Sequence, residues 1–104
     1  MRKLVRNKII DIISEEKGRK VEPQEAGMRK MSDWEFAYAL RLKLHEEWAE
    51  AWADPCPEEF ADCLEVLKVA AASHGIKWED VEAARLKKND KKGSFDHQWE
   101  LNLK

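Results

Sequence analysis

The chain has 104 residues, of which 43% are hydrophobic and 38% charged, and its formal net charge is −2. This length suffices for one domain, and the balance excludes a disordered chain and a general polyanion binder. Four glycines and three prolines are few, which favours helices over turn-rich β structure. No apolar run is long enough to span a membrane. The two cysteines form neither a disulfide framework nor a zinc motif, so we expect reduced thiols in the cytoplasm.

The first half of the chain predicts two helices. Apolar residues at helical spacing indicate a helix over residues 2–17 that ends at Gly18, followed by a loop over residues 18–31. Ser32 and Glu35 form a capping-box pattern that opens a second helix over residues 33–53. The expected core stripe of this helix consists of Phe36, Leu40, Leu44 and Ala51, widened by Trp48 and Trp52.

Two further helices and a tail are predicted in the second half. The third helix starts at Pro57 and ends near Gly75, and the fourth covers residues 78–91. The expected buried face of the third helix is Phe60, Leu64, Leu67 and Ala71. Residues 94–104 are a tail whose alternating apolar residues suggest a short extended segment packed on the helices. The chain is therefore expected to be a single all-α domain over residues 1–104, resembling a four-helix bundle.

Two pairs of acidic residues fall in line with apolar stripes on consecutive helices. Glu47 and Glu50 are three residues apart on the second helix, and Glu59 and Asp62 are three apart on the third. Converging carboxylates repel one another unless a proton or a cation intervenes. An all-oxygen set without histidine suits Mg²⁺ or Mn²⁺ rather than Zn²⁺. The alternative is a solvated acidic face, since most helical glutamates are exposed.

At these residues the chain resembles the MazG-like, all-α nucleoside triphosphate pyrophosphohydrolase superfamily. The superfamily signature, Glu-x-x-Glu followed by Glu-x-x-Asp, stands here at residues 47–50 and 59–62. Within it, the chain is most similar to the small phosphoribosyl-ATP pyrophosphohydrolase-like proteins. Residues 4–9 read Leu-Val-Arg-Asn-Lys-Ile, close to that subgroup's Leu-Val-Arg-Asp-Lys-Ile, and Lys88 precedes a Lys-Gly-Ser-Phe segment at residues 92–95 in place of Arg-Gly-Gly-Phe.

The resemblance implies a MazG-type fold completed by a homodimer or a higher assembly. It also implies hydrolysis between the α and β phosphates of a nucleotide, giving a monophosphate and pyrophosphate, as in the housekeeping of nucleotide pools. The implied Mg²⁺ ligands are Glu47, Glu50, Glu59 and Asp62. Glu46 would be an auxiliary acid that orients water or a second ion, and either Glu50 or Glu46 would activate the attacking water.

Several other residues are candidates for binding the substrate. The candidate phosphate-facing cations are Arg6, Lys8, Lys88 and Lys92, although lysines at helix ends are commonly solvated. Trp48 lies between the metal acids and is a candidate for stacking on a base, but a tryptophan at this spacing is more often core or interface. The departures from the subgroup pattern at Asn7, Lys92 and Ser94 bear on substrate choice more than on metal binding.

The sequence is also compatible with two functions other than an enzyme. The first is a non-catalytic helical module that binds Mg²⁺–nucleotide or a partner protein, motivated by the departures at Asn7 and Lys92. The second is nucleic-acid binding through the basic N-terminus, which the neighbouring acidic centre disfavours. We therefore expect a nucleotide substrate, no nucleic-acid partner and no membrane association.

Overall fold

A computed structural model describes residues 2–103 of the chain. It contains the helices α1 (Ile9–Lys17), α2 (Asp33–Ala53), α3 (Pro57–Ser73) and α4 (Trp78–Lys92). Residues 2–103 include no strand, which confirms the all-helical prediction. The chain divides into two compact units, Met1–Ala70 and Ala71–Lys104. Within residues 2–103, no helix has both the length and the apolar character needed to cross a membrane.

Helix α1 is shorter than predicted. It begins at Ile9 rather than at residue 2, and residues 2–8 lie outside any helix. Those residues include four cations and no acid, and positive charge is unfavourable at the positive end of a helix dipole. The Arg2 guanidinium instead donates a hydrogen bond to the Gly27 carbonyl at 3.2 Å. The end of α1 agrees with the prediction, because Gly18 takes the left-handed conformation there with φ 68°.

Helix α2 has the predicted bounds, and its start is held by the predicted capping box. The Glu35 amide donates to Ser32 Oγ at 3.3 Å, and the Ser32 amide donates to Glu35 Oε1 at 3.0 Å. The Arg29 guanidinium also donates to Glu35 Oε2 at 2.8 Å. The Arg29 guanidinium, followed by the Ser32 groups, lowers the pKa of Glu35 to about 2. Glu35 is thus an ionised acid with a full set of donors.

The first unit has a small core. Its buried apolar residues are Val21, Leu40, Ala51, Cys63 and Val66. The predicted core positions Leu40 and Ala51 on α2 are therefore confirmed, but Trp48 and Trp52 are 51% and 76% exposed.

The predicted buried face of α3 is wrong by about one position. Phe60, Leu64 and Leu67 are 43–49% exposed, whereas Cys63 and Val66 are buried. The buried residues Cys63 and Val66 lie on the same face of α3 as Glu59 and Asp62. The inward face of this helix is therefore polar at its start and apolar further along.

The second unit contains α4 and the tail. Helix α4 starts at the predicted residue, Trp78, and ends before Gly93. In the tail, Phe95, Trp99, Leu101 and Leu103 are 80–95% exposed, so the expected packing of this segment is wrong for its described residues. Lys104 lies outside the described residues.

Candidate metal centre

Three of the predicted metal ligands meet where the C-terminal half of α2 faces the first turn of α3. One carboxylate oxygen from each of Glu47, Glu50 and Glu59 lies within 4.8 Å of the others. Glu47 and Glu50 share one face of α2, since residues three apart are neighbours on a helix. Glu59 joins them because only three residues separate the end of α2 from the start of α3. We call these three residues the acidic triad.

The triad contains two buried oxygens that meet no hydrogen-bond donor in the described part of the chain. They are Glu47 Oε2 and Glu59 Oε2. Glu47 is only 7% exposed, Glu59 is half-buried and Glu50 is exposed. A buried carboxylate oxygen without a donor loses its hydration and gains nothing in exchange. Such a cost needs an explanation, and a bound cation would supply one.

The electrostatics of the triad agree with this interpretation. The negative charge of Glu47, followed by burial, raises the pKa of Glu50 above its usual value. Burial raises the pKa of Glu59, and the charges of Glu50, Asp62 and Glu47 add to the effect. Both acids thus ionise less readily than an isolated glutamate in the absence of a cation.

The donor set fits a hard divalent cation. Carboxylate oxygens bound to Mg²⁺ at about 2.0–2.1 Å lie roughly 3–4 Å apart, so the triad reaches that spacing with small side-chain adjustments. All three ligands are carboxylates, and the exposed position of Glu50 leaves the centre open to a ligand on one side. Glu47, Glu50 and Glu59 are therefore the residues of this chain that would hold Mg²⁺ or Mn²⁺.

The fourth predicted ligand, Asp62, lies beside the triad but is paired with a cation. Arg6 Nη2 donates to Asp62 Oδ1 at 2.7 Å, which links the N-terminal segment to α3 across 56 residues of sequence. Asp62 is half-buried and close enough for its charge to act on Glu59. The sequence predicted both Asp62 and Arg6 as site residues, but it did not predict that they pair.

The predicted auxiliary acid, Glu46, is also held by cations. Lys3 Nζ lies 3.5 Å from Glu46 Oε1, and Lys43 Nζ lies 3.7 Å from Glu46 Oε2. Lys43 Nζ also lies 3.2 Å from Glu47 Oε1. Sequence reasoning missed Lys43 and Lys3. Lys43 had a detectable signal, because it stands four residues before Glu47 at the spacing of a helical ion pair.

The remaining predicted cations, Lys8, Lys88 and Lys92, are exposed. Lys8 precedes the first residue of α1 and belongs to the first unit. Lys88 and Lys92 are on α4 in the second unit. Their proposed contact with phosphate stays a prediction.

Trp48 lies in an apolar hollow rather than in the triad. Its ring is edge-on to Phe60, with centroids 6.3 Å apart, and tilted against Trp52 at 6.1 Å. The hollow has a volume of about 460 Å³ and is also lined by Leu44, Leu64 and Leu67. Because Phe60 directly follows Glu59, the hollow adjoins the acids along α3.

Comparisons with protein-family models, with curated protein sequences and with solved structures find no match to this chain.

Proposed function

We propose that the chain is a Mg²⁺-dependent nucleotide pyrophosphohydrolase of the MazG-like, all-α type. It would cleave a nucleoside triphosphate or a related nucleotide between the α and β phosphates, releasing a monophosphate and pyrophosphate. The observation that carries the proposal is the pair of buried carboxylate oxygens, on Glu47 and Glu59, that meet no donor within residues 2–103. The family resemblance of residues 4–9, 47–62 and 92–95 supports it.

The triad would bind the metal, which supplies charge neutralisation for the phosphates and a more acidic bound water. Of the two acids expected to orient the attacking water, Glu50 is the better placed, because it is the exposed member of the triad. Its carboxylate would accept the proton of that water. Glu46 is tied to Lys3 and Lys43, which leaves it a supporting role.

The cations near the triad would serve the substrate. Arg6 is 69% exposed in its side chain and pairs with Asp62, so an incoming phosphate can compete for its guanidinium. Such an exchange would free Asp62 to act as the fourth ligand. Arg suits this task because its planar group binds two oxygens at once.

A homodimer is part of the proposal. Helices α2 and α3 present large apolar side chains that are about half or more exposed, namely Trp48, Trp52, Phe60, Leu64 and Leu67. Contiguous exposed apolar surface of this kind is typical of subunit interfaces. A second copy of the chain that covers the apolar hollow would bury it beside the metal centre. Sedimentation equilibrium tests this, with Trp52→Glu expected to give monomers.

The non-catalytic module remains the second candidate, because the pairing of Arg6 with Asp62 occupies one expected ligand. Such a module would bind Mg²⁺–nucleotide without turnover. Either function belongs in the cytoplasm, where the two free thiols would stay reduced.

The deciding experiment is an assay for pyrophosphate release from a panel of nucleoside triphosphates with Mg²⁺. We expect turnover of at least one nucleotide and a loss of roughly 10²-fold or more in Glu50→Gln, as for the removal of a general base. Glu65→Gln is the matched control, since Glu65 is an exposed acid further along α3. Equal turnover in Glu50→Gln and wild type would contradict the proposal, and tight nucleotide binding without turnover would favour the non-catalytic module.

A further inference from the structure

A lysine bridges two carboxylates next to the triad. Lys43 Nζ bridges Glu46 and Glu47, at 3.7 Å and 3.2 Å. A divalent ion that shares one ligand with its neighbour needs just such a pair of carboxylates. Lys3 Nζ approaches Glu46 from its other oxygen at 3.5 Å. Each carboxylate oxygen of Glu46 is therefore paired with a lysine ammonium group.

The ion pair of Lys43 with Glu47 is well shielded from water. The two side chains are 20% and 9% exposed, against 63% and 40% for Lys3 and Glu46. Exposed pairs break easily, whereas separating a buried pair leaves a desolvated charge without a partner. Lys43 is thus the hardest of the neighbouring cations to displace. It also fixes Glu47 so that one oxygen faces the ammonium and the other, Oε2, stays buried without a donor.

The formal charges around the triad match one divalent ion. Five carboxylates lie on the facing turns of α2 and α3, namely Glu46, Glu47, Glu50, Glu59 and Asp62. Three cations pair with members of this group, namely Lys3, Arg6 and Lys43. Within residues 2–103, two negative charges of this group remain without a paired cation. Asp54, at the end of α2, makes the smallest of the charge contributions on Glu59 and is not counted in this group.

We infer that Lys43 is a positioning residue that limits the centre to one divalent ion per chain, an inference that rests on the proposed function. Its ammonium neutralises Glu46 and one oxygen of Glu47 in place of a second ion. Glu47, Glu50 and Glu59 would hold the single ion. Removing the Lys43 charge frees Glu46 Oε2 and Glu47 Oε1, and the exposed Lys3 is readily displaced from Glu46, so a second ion is expected to enter.

The test is a titration of the full-length chain with Mn²⁺ alone, with free Mn²⁺ measured by electron paramagnetic resonance. We expect one bound Mn²⁺ per chain in wild type and two in Lys43→Met, together with the line broadening of a coupled ion pair. Lys43→Arg keeps the charge and is expected to bind one. Arg41→Met is the matched control, because it removes one cation from an exposed position on the same helix, and it is also expected to bind one.

The outcomes separate the inference from the proposed function. Wild type that binds no Mn²⁺ overturns both. Wild type that binds two ions, or folded Lys43→Met that still binds one, overturns the inference and leaves the proposed function standing. If circular dichroism shows that Lys43→Met does not fold, Lys43→Gln replaces it, since its amide retains a polar contact with Glu47.

Discussion

A glutamate near the start of α2 and a glutamate near its end have pKa values shifted in opposite directions. At its start, Glu35 receives hydrogen bonds from Arg29 and Ser32, and its pKa falls to about 2. Near its end, one carboxylate oxygen of Glu50 lies within 4.8 Å of oxygens of Glu47 and Glu59, and the pKa of Glu50 rises. The first acid strengthens the fold by being ionised, whereas the second group opposes the fold unless a cation joins it. Acids held against one another in this way are typical of a functional site.

The largest expected effect is on metal affinity. Replacing Glu47 by Gln removes a charge and the donorless oxygen from the centre, so Mn²⁺ binding measured by calorimetry is expected to weaken by at least about tenfold. Glu35→Gln removes the same charge from the other end of α2 and is expected to leave the affinity unchanged. Equal losses in both variants would mean that the net charge of α2 matters and the triad does not.

In the absence of divalent ions, a substitution at the cap of α2 and a substitution in the acidic triad should change the Tm in opposite directions. Ser32→Ala removes the acceptor of the helix cap, which is expected to cost about 1 kcal/mol of the free energy of unfolding and to lower the Tm by roughly 4–8 °C. Glu59→Gln removes a half-buried charge that neighbouring acids repel, so the Tm should rise by a few degrees in EDTA at neutral pH. Calorimetric scans measure both. A lower Tm in Glu59→Gln would indicate that this carboxylate already has a favourable partner.

The pH dependence of the free energy of unfolding should show the same contrast. The pKa values of Glu50 and Glu59 are raised from 4.5, so the metal-free fold binds more protons than the unfolded chain just above that pH. Its stability is therefore lost as the pH rises through the raised pKa values. Glu35 acts oppositely, because its stabilisation is present above pH 4.5 and is lost as the pH falls towards about 2.

Urea unfolding from pH 2 to 8 in EDTA tests this dependence. Glu59→Gln should flatten the decline on the high-pH side, and Glu35→Gln should flatten the decline on the low-pH side. Saturating Mg²⁺ should remove the high-pH decline in wild type, because the bound ion favours ionised carboxylates. A metal-free chain whose stability rises steadily up to pH 8 would contradict the repulsion within the triad.

The features that the sequence predicted correctly depend on local interactions. The bounds of α2 follow from the capping box and from the break at Asp54 and Pro55, and the acid pairs follow from the three-residue spacing on a helix. The features that it missed depend on contacts distant in sequence. The early start predicted for α1 was wrong because the cations of residues 2–8 bind elsewhere, among them Arg6 with Asp62.

The face of α3 was missed for a related reason. Apolar periodicity favoured the row of Phe60, Leu64 and Leu67, yet the row that faces inward begins with Glu59 and continues to Cys63 and Val66. Periodicity alone treats an acid as outward-facing. The buried face of a helix that presents acids to the interior and an aromatic group to solvent is therefore mispredicted.

The smallest expected effect uses Cys63 as a reporter of the triad. Burial raises the pKa of the Cys63 thiol, and the charges of Glu47, Asp62 and Glu59 raise it further. A divalent ion on the triad cancels part of that negative charge but does not change the burial of the thiol, which is 8% exposed. The thiolate fraction at pH 8 should therefore rise modestly, by about twofold for each 0.3 unit of pKa.

Alkylation by iodoacetamide measures this effect, since the reagent is neutral and its approach does not depend on the charge of the site. In the Cys56→Ser variant, Mg²⁺ should speed the reaction of Cys63 by about two- to threefold. In the reciprocal Cys63→Ser variant, the reaction of the half-buried Cys56 should not change. If Mg²⁺ instead slows the alkylation of Cys63, ion binding restricts access to the thiol by tightening the packing of α3. This restriction would then outweigh the loss of negative charge around the thiol. The acidic end of α2 would then differ from its capped end in rigidity as well as in charge.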